Sequence, residues 1–143
     1  MKRHLNISYL AILTLLCVSC STSCTTRIDP GSDPLVVRAE SLMTVALTTF
    51  DTFLAIEYNN KEIIKDRLPE IHKAAEWLRG SVDGNIPRGL AFIESLNKVK
   101  NAYKQNKTPE GKMSLATTIA LVETMLREVQ GSISKLGSTI TLP

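Results

Sequence analysis

TPEGKMSLATTIALVETMLREVQGSISKL, residues 108–136, decides the fold. Its apolar positions Leu115, Ile119, Val122, Leu126, Val129, Ile133 and Leu136 recur at alternating steps of four and three. That spacing lays them along one face of an α-helix. Thr108-Pro109-Glu110 supplies the start: a hydroxyl to accept a free backbone N–H, a proline suited to the first helical position, and an acid at the positive end of the helix dipole. Gly131 offers an early stop and Gly137 a firm one.

Read outward from this seam, the preceding segments repeat the pattern. Pro87 to Gln105 predicts a helix with Phe92, Leu96, Val99 and Tyr103 on one face, broadened by Leu90 and Ile93. SVDGN, residues 81–85, reads as a turn together with Gly80. Ile64, Leu68, Ile71, Ala75 and Leu78 form another stripe, inside which Pro69 either kinks a helix over 61–79 or opens a new one. Asp33-Pro34 starts the first helix, whose stripe is Leu35, Ala39, Leu42, Ala46, Phe50 and Phe53, widened by Met43, Leu47 and Leu54. This helix either breaks at Tyr58-Asn59-Asn60 or runs on to about Asp66. Arg38, Glu40 and Asp51 interrupt its apolar run, which argues against a membrane span. No strand finds a pairing partner and no repeat occurs. The expectation is an all-α, up-down bundle of three to four helices over residues 34–136, with 137–143 as a tail.

Composition agrees with one domain of this kind. The chain has 143 residues, 43% hydrophobic and 22% charged, which excludes a disordered polar chain. All three cysteines precede residue 25, so the helical region has neither a disulfide framework nor a cysteine zinc site.

The amino terminus reads as an export signal. Lys2 and Arg3 form a positive start, and Leu5 to Val18 follows without a formal charge. A helix of that length spans about 21 Å, short of the ~30 Å hydrocarbon core, so a removable signal fits better than a span. The run ends in LLCVSCSTSC, residues 15–24. Val18-Ser19-Cys20 resembles the lipobox of bacterial lipoproteins, with Cys17 standing where leucine is usual. Cys17 as the modified residue would put Leu16 before the cut, and Cys24 lies far from the apolar run. An ordinary cleaved signal and an uncleaved anchor are the alternatives.

The resemblance implies a signal peptide over 1–19 and a diacylglycerol thioether on Cys20, with a third acyl chain on its amine in many bacteria. Two or three chains hold a protein on a membrane effectively permanently. Ser21, where an aspartate would favour the inner membrane, implies an outer-membrane location facing the periplasm. Residues 20–33, rich in Ser, Thr, Gly and Pro, read as the lipidated cysteine and a flexible tether with a reach of roughly 40 Å.

Removing residues 1–19 leaves fifteen Lys and Arg against fourteen acids. Basicity therefore belongs to the signal, and no nucleic-acid partner is expected. Lys98, Lys100, Lys104 and Lys107 read as a solvated face near a helix end.

Catalytic and metal chemistry find little footing. His72 is the one histidine after the signal, and Glu76 one turn later makes only a two-ligand pair. A ferritin-like set needs Glu three residues before His, and position 69 is Pro. HExxH, a P-loop, a dinucleotide fingerprint and an EF-hand loop do not occur. Glu57, Glu62, Asp66, Glu70 and Glu76 alternate with Lys61, Lys65, Arg67, Lys73 and Arg79, a pattern that reads as a solvated helix surface with His72 partly exposed on it. No cofactor is expected beyond the lipid on Cys20.

The expected function is contact without catalysis: an envelope-anchored helical lipoprotein acting as an interaction or scaffold module. Its protein partner is unidentified, and the broad apolar faces also suit a homo-oligomer. Trp77, Tyr58 and Tyr103 are the candidate interface residues, since aromatic side chains dominate binding hot spots, while Trp77 beside Leu78 also reads as a cap on the core. RAESLMTVALTTFDTFLAIEYNN, residues 38–60, resembles uncharacterised helical proteins of phage and environmental bacterial genomes. That resemblance implies the alternative, an envelope inhibitor or lysis-associated lipoprotein of a phage or mobile element.

Overall fold

A computed structural model describes residues 31–81 and 84–139. Among them the chain is all-α, in five helices: α1 Pro34–Asn59, α2 Lys61–Arg67, α3 Pro69–Arg79, α4 Arg88–Gln105 and α5 Pro109–Thr139. The described residues hold no strand, only an isolated bridge between Ser81 and Pro87. Cys20, the signal assignment and all of the tether but residues 31–33 lie outside the described residues, as does the end of the tail.

Asp33 caps α1 by accepting the Leu35 N–H at 3.0 Å, with Pro34 in the first turn. The buried face of α1 is Val36, Ala39, Leu42, Ala46, Phe50, Phe53 and Glu57. Leu35, expected on this stripe, only packs at its edge, and Val36 takes the core position. Asn60 ends the helix. Its backbone N–H is shared between the Ile56 and Glu57 carbonyls, and its side-chain amide donates to Ile56 O at 2.9 Å. These local bonds compete with helix continuation, as asparagine does near helix ends. The two readings of residues 58–66 thus resolve into a break followed by the short α2.

Pro69 opens a new helix. Leu68 before it is held at φ −138° and ψ 59°, outside the helical region that a following proline disfavours. Gly84 at φ +79° takes the left-handed position in the loop from α3 to α4. Gly89 follows in the first turn of α4, where a Cβ would lie 3.3 Å from Phe50 Cδ2 and 3.5 Å from Leu78 Cδ2. Its missing side chain eases the close approach of α4 to Phe50 of α1, while the Leu78 distance is an ordinary contact.

The core face of α4 is Gly89, Ile93, Leu96, Lys100 and Tyr103, rotated from the expected stripe. Phe92 and Val99 sit at its edge and Leu90 is exposed. Thr108 caps α5, accepting the Gly111 N–H at 3.0 Å. The helix then runs through both Gly131 and Gly137, so the stop expected at Gly137 does not occur. A helical glycine costs about 1 kcal/mol. Burial of Leu136 and part of Ile133 beyond Gly131 outweighs that, at about 1.5–3 kcal/mol for a fully buried aliphatic side chain.

The three long helices pack on one another, while α2 packs chiefly on α3, and α3 on α1 and α4. Tyr103 near the end of α4 reaches Asp33 at the start of α1, so these two helices run antiparallel. Phe53, Ile64, Ile71, Leu96, Leu115 and Ile119 are among the largest fully buried side chains and draw on every helix. Among the described residues α1 is the helix long and apolar enough to cross a membrane, with 28% of its most apolar stretch buried. Two of its charges pair outward to other helices: Arg38 Nη2 lies 2.6 Å from Glu123 Oε1, and Glu40 Oε1 lies 3.5 Å from both Lys100 Nζ and Lys104 Nζ.

Candidate functional site: a buried ionic cluster beside an exposed tryptophan

Glu57 lies one helical step beyond Phe53 on the core stripe, and it is 0% exposed. Taking a carboxylate out of water costs several kcal/mol unless charged partners meet it. Two do. His72 Nδ1 lies 2.6 Å from Glu57 Oε1, and the Arg79 guanidinium meets Glu57 Oε2. His72 is 8% exposed, whereas the Arg79 side chain keeps 34% of its surface in solvent. The other ring nitrogen, His72 Nε2, faces Glu76 Oε1 at 3.3 Å, one turn along α3. Both ring nitrogens therefore face carboxylates, one buried and one exposed.

This cluster corrects two expectations. Glu57 is not part of a solvated helix surface, and His72 is not partly exposed. The signal for Glu57 was present in the sequence: Ala46, Phe50, Phe53 and Glu57 continue the steps of four, three and four. His72 follows Ile71 on the buried side of α3, where Ala75 and Leu78 carry the core. Lys100 departs from the solvated-face reading in the same way. It occupies a core position of α4, and its Nζ reaches outward to Glu40.

Trp77 is 46% exposed at the far end of α3. Its ring stacks on Phe92 at 6.0 Å between centroids with 28° between planes, and the Arg88 guanidinium lies 5.6 Å from its centre. Arg88 Nη1 also donates to the Trp77 carbonyl at 3.3 Å. The tryptophan is thus held between Phe92 and Arg88. Beside it, a groove of about 240 Å³ between α3 and α5 is lined by Ala74, Trp77, Leu78, Met125 and Val129 together with the polar Glu128 and Ser132.

Of the other two candidate interface aromatics, Tyr58 stands 74% exposed on α1, while Tyr103 is 6% exposed. The Tyr103 hydroxyl donates to Asp33 Oδ2 at 2.8 Å, so this residue acts as an internal strut, not a surface. That bond, then the Leu35 N–H and the charges of Lys107 and Lys112, hold the Asp33 carboxyl below its usual value against the opposing effect of desolvation. The same bond raises the Tyr103 phenol. Among the described residues no group of His, Cys, Asp and Glu is arranged to hold a metal ion. No protein family, curated protein or solved structure matches the chain.

Proposed function

We propose that the chain is a lipid-anchored helical lipoprotein of the bacterial envelope whose domain works by protein contact and not by catalysis. The observation that carries the anchor is Val18-Ser19-Cys20 at the end of an uncharged run. The contact role is supported by Trp77, exposed yet fixed by Phe92 and Arg88 beside an apolar groove. His72, with both nitrogens turned to carboxylates, favours a structural over an acid–base role. In this reading the fold is an up-down bundle of the three long helices, and the short α2–α3 pair closes one side.

Intact mass of the protein from a bacterial membrane fraction tests the anchor. The expected species begins at Cys20 and carries two or three acyl chains. A full-length, unmodified mass would overturn it. For the contact role, a photo-crosslinker placed at Ser132 beside the groove should capture a discrete envelope protein. Capture that Trp77→Ala leaves unchanged would sink that assignment.

A further inference from the structure

The chain enters the domain at Asp33, and the structure gathers lysines around that point. Tyr103 brings the end of α4 to Asp33, and the charges of Lys107 and Lys112 act on the same carboxylate. Lys100 and Lys104 share Glu40, about two turns along α1 from Asp33. Lys98 borders a groove of about 570 Å³ with Asn106 and Thr108, between the end of α4 and the start of α5. Five lysines here (98, 100, 104, 107 and 112) meet three acids, Asp33, Glu40 and Glu110. Elsewhere from Asp33 onward nine Lys and Arg meet ten acids. A nearly neutral domain is thus polarised, with its positive pole at the point of attachment. Among the described residues Lys98, Lys107 and Lys112 have no ion-pair partner, and Lys104 is half exposed while sharing its carboxylate with Lys100.

We propose that this pole is a contact surface for the anionic headgroups of the membrane that holds Cys20. The inference rests on the lipid-anchor reading above. Thirteen residues from Cys20 to Asp33 reach roughly 40 Å at most, so the pole is held permanently within range of the bilayer. Tethering at that range gives a high effective concentration, and a weak attraction then suffices to orient the domain. Each lysine at an anionic surface multiplies contact by about fivefold, within a Debye length of about 8 Å. Docking by this pole would turn Trp77, at the opposite end of the antiparallel α1–α4 pair, away from the lipid. A nucleic acid fits less well, because the positive charge is confined to one pole of a domain without a basic face.

The native lysines serve as probes. Full-chain protein from the membrane fraction is reconstituted in vesicles of phosphatidylcholine, with or without phosphatidylglycerol, and treated briefly with an amine-reactive label read by mass spectrometry. With phosphatidylglycerol, labelling of Lys98, Lys104, Lys107 and Lys112 should slow several-fold relative to Lys61, Lys65 and Lys135. The protection should vanish in phosphatidylcholine alone and at about 1 M salt, where the Debye length is about 3 Å. Lys107→Gln/Lys112→Gln should weaken the contact about 25-fold and expose Lys98, from the same fivefold per lysine. Equal labelling at both poles, or protection independent of lipid charge, overturns the proposal. Equal protection by inorganic phosphate or by RNA without vesicles also overturns it, assigning the pole to those anions. The intact mass separates the two readings: acylated protein without protection removes this inference alone, and protection in unacylated protein removes the anchor alone.

Discussion

Replacing Glu57 with glutamine removes the charge that His72 and Arg79 share while keeping the shape of the side chain. Breaking a buried ion pair typically costs about 3–5 kcal/mol, because a charge is left without a partner. Two features of this site lower the figure. Arg79 is one-third exposed and turns to water, and His72 keeps its contact with Glu76. What remains lost is a charge-assisted bond of 2.6 Å in a fully buried position, worth about 1.5–3 kcal/mol. The expected destabilisation is about 2–3 kcal/mol, or roughly 8–12 °C in Tm for a domain of this size. His72→Gln should cost less, about 1–2 kcal/mol, since Arg79 still neutralises Glu57. The double variant should then be milder than the sum of the two by at least about 1 kcal/mol, because the residues act on one another. Glu76→Gln, at an exposed carboxylate, should change stability by under ~0.5 kcal/mol. Urea unfolding followed by far-UV circular dichroism measures all four. Strict additivity, or a Glu57→Gln variant within ~0.5 kcal/mol of the parent, would refute the cluster as a joint between α1 and α3.

Other substitutions probe the fold at separate points. Gly131→Ala and Gly137→Ala each meet open space and should stabilise by about 0.5–1 kcal/mol, whereas Gly89→Ala should gain nothing because of the 3.3 Å approach to Phe50; thermal melts compare them. Phe53→Ala, emptying a fully buried ring position, should cost about 3–5 kcal/mol by the same melts. The lowered carboxyl of Asp33 stabilises the fold above its unfolded value, about 3.9, and that contribution is lost as pH falls through the folded value below it. The Tm difference between parent and Asp33→Asn should therefore be largest above pH ~4 and shrink in acid; a difference that grows in acid would reverse the assignment. At the alkaline end, the raised phenol of Tyr103 contributes below about pH 10 and ceases to do so as pH rises through its folded value, which a Tyr103→Phe melt series tests.

Helix starts were legible because they are written in one or two residues: Asp33-Pro34 and Thr108-Pro109 both cap and open helices where expected. The long seam of α5 was equally clear, since seven aliphatic positions fixed one face. The continuation of α5 through Gly131 and Gly137 was not legible, because the local preference of a glycine to end a helix was weaker than the burial of Ile133 and Leu136 between them. The core face of α4 includes Gly89, whose close neighbour Phe50 lies thirty-nine residues away in sequence, so its place on that face was not legible. For the site, charge alternation over 57–79 concealed Glu57, although its register with Phe50 and Phe53 pointed inward. His72 and Arg79 become its partners only once Leu68-Pro69 has set the direction of α3.

The two short helices between Asn60 and Arg79 are joined to α1 by a single non-helical residue, and to each other by another. Segments of seven and eleven residues lie below the length at which a helix persists alone, about 12–15 residues. They hold their shape through Ile64, Ile71, Ala75 and Leu78 and through the hold on Glu57. This region is consequently the domain's weakest cooperative unit, able to open while the long helices stay closed. Trypsin, supplied with Lys61, Lys65, Arg67 and Lys73 along it, should nick the native protein there first. Any protease meeting the folded domain would find the same seam, so its resistance to cleavage depends on how tightly the Glu57 carboxylate holds α3 against α1.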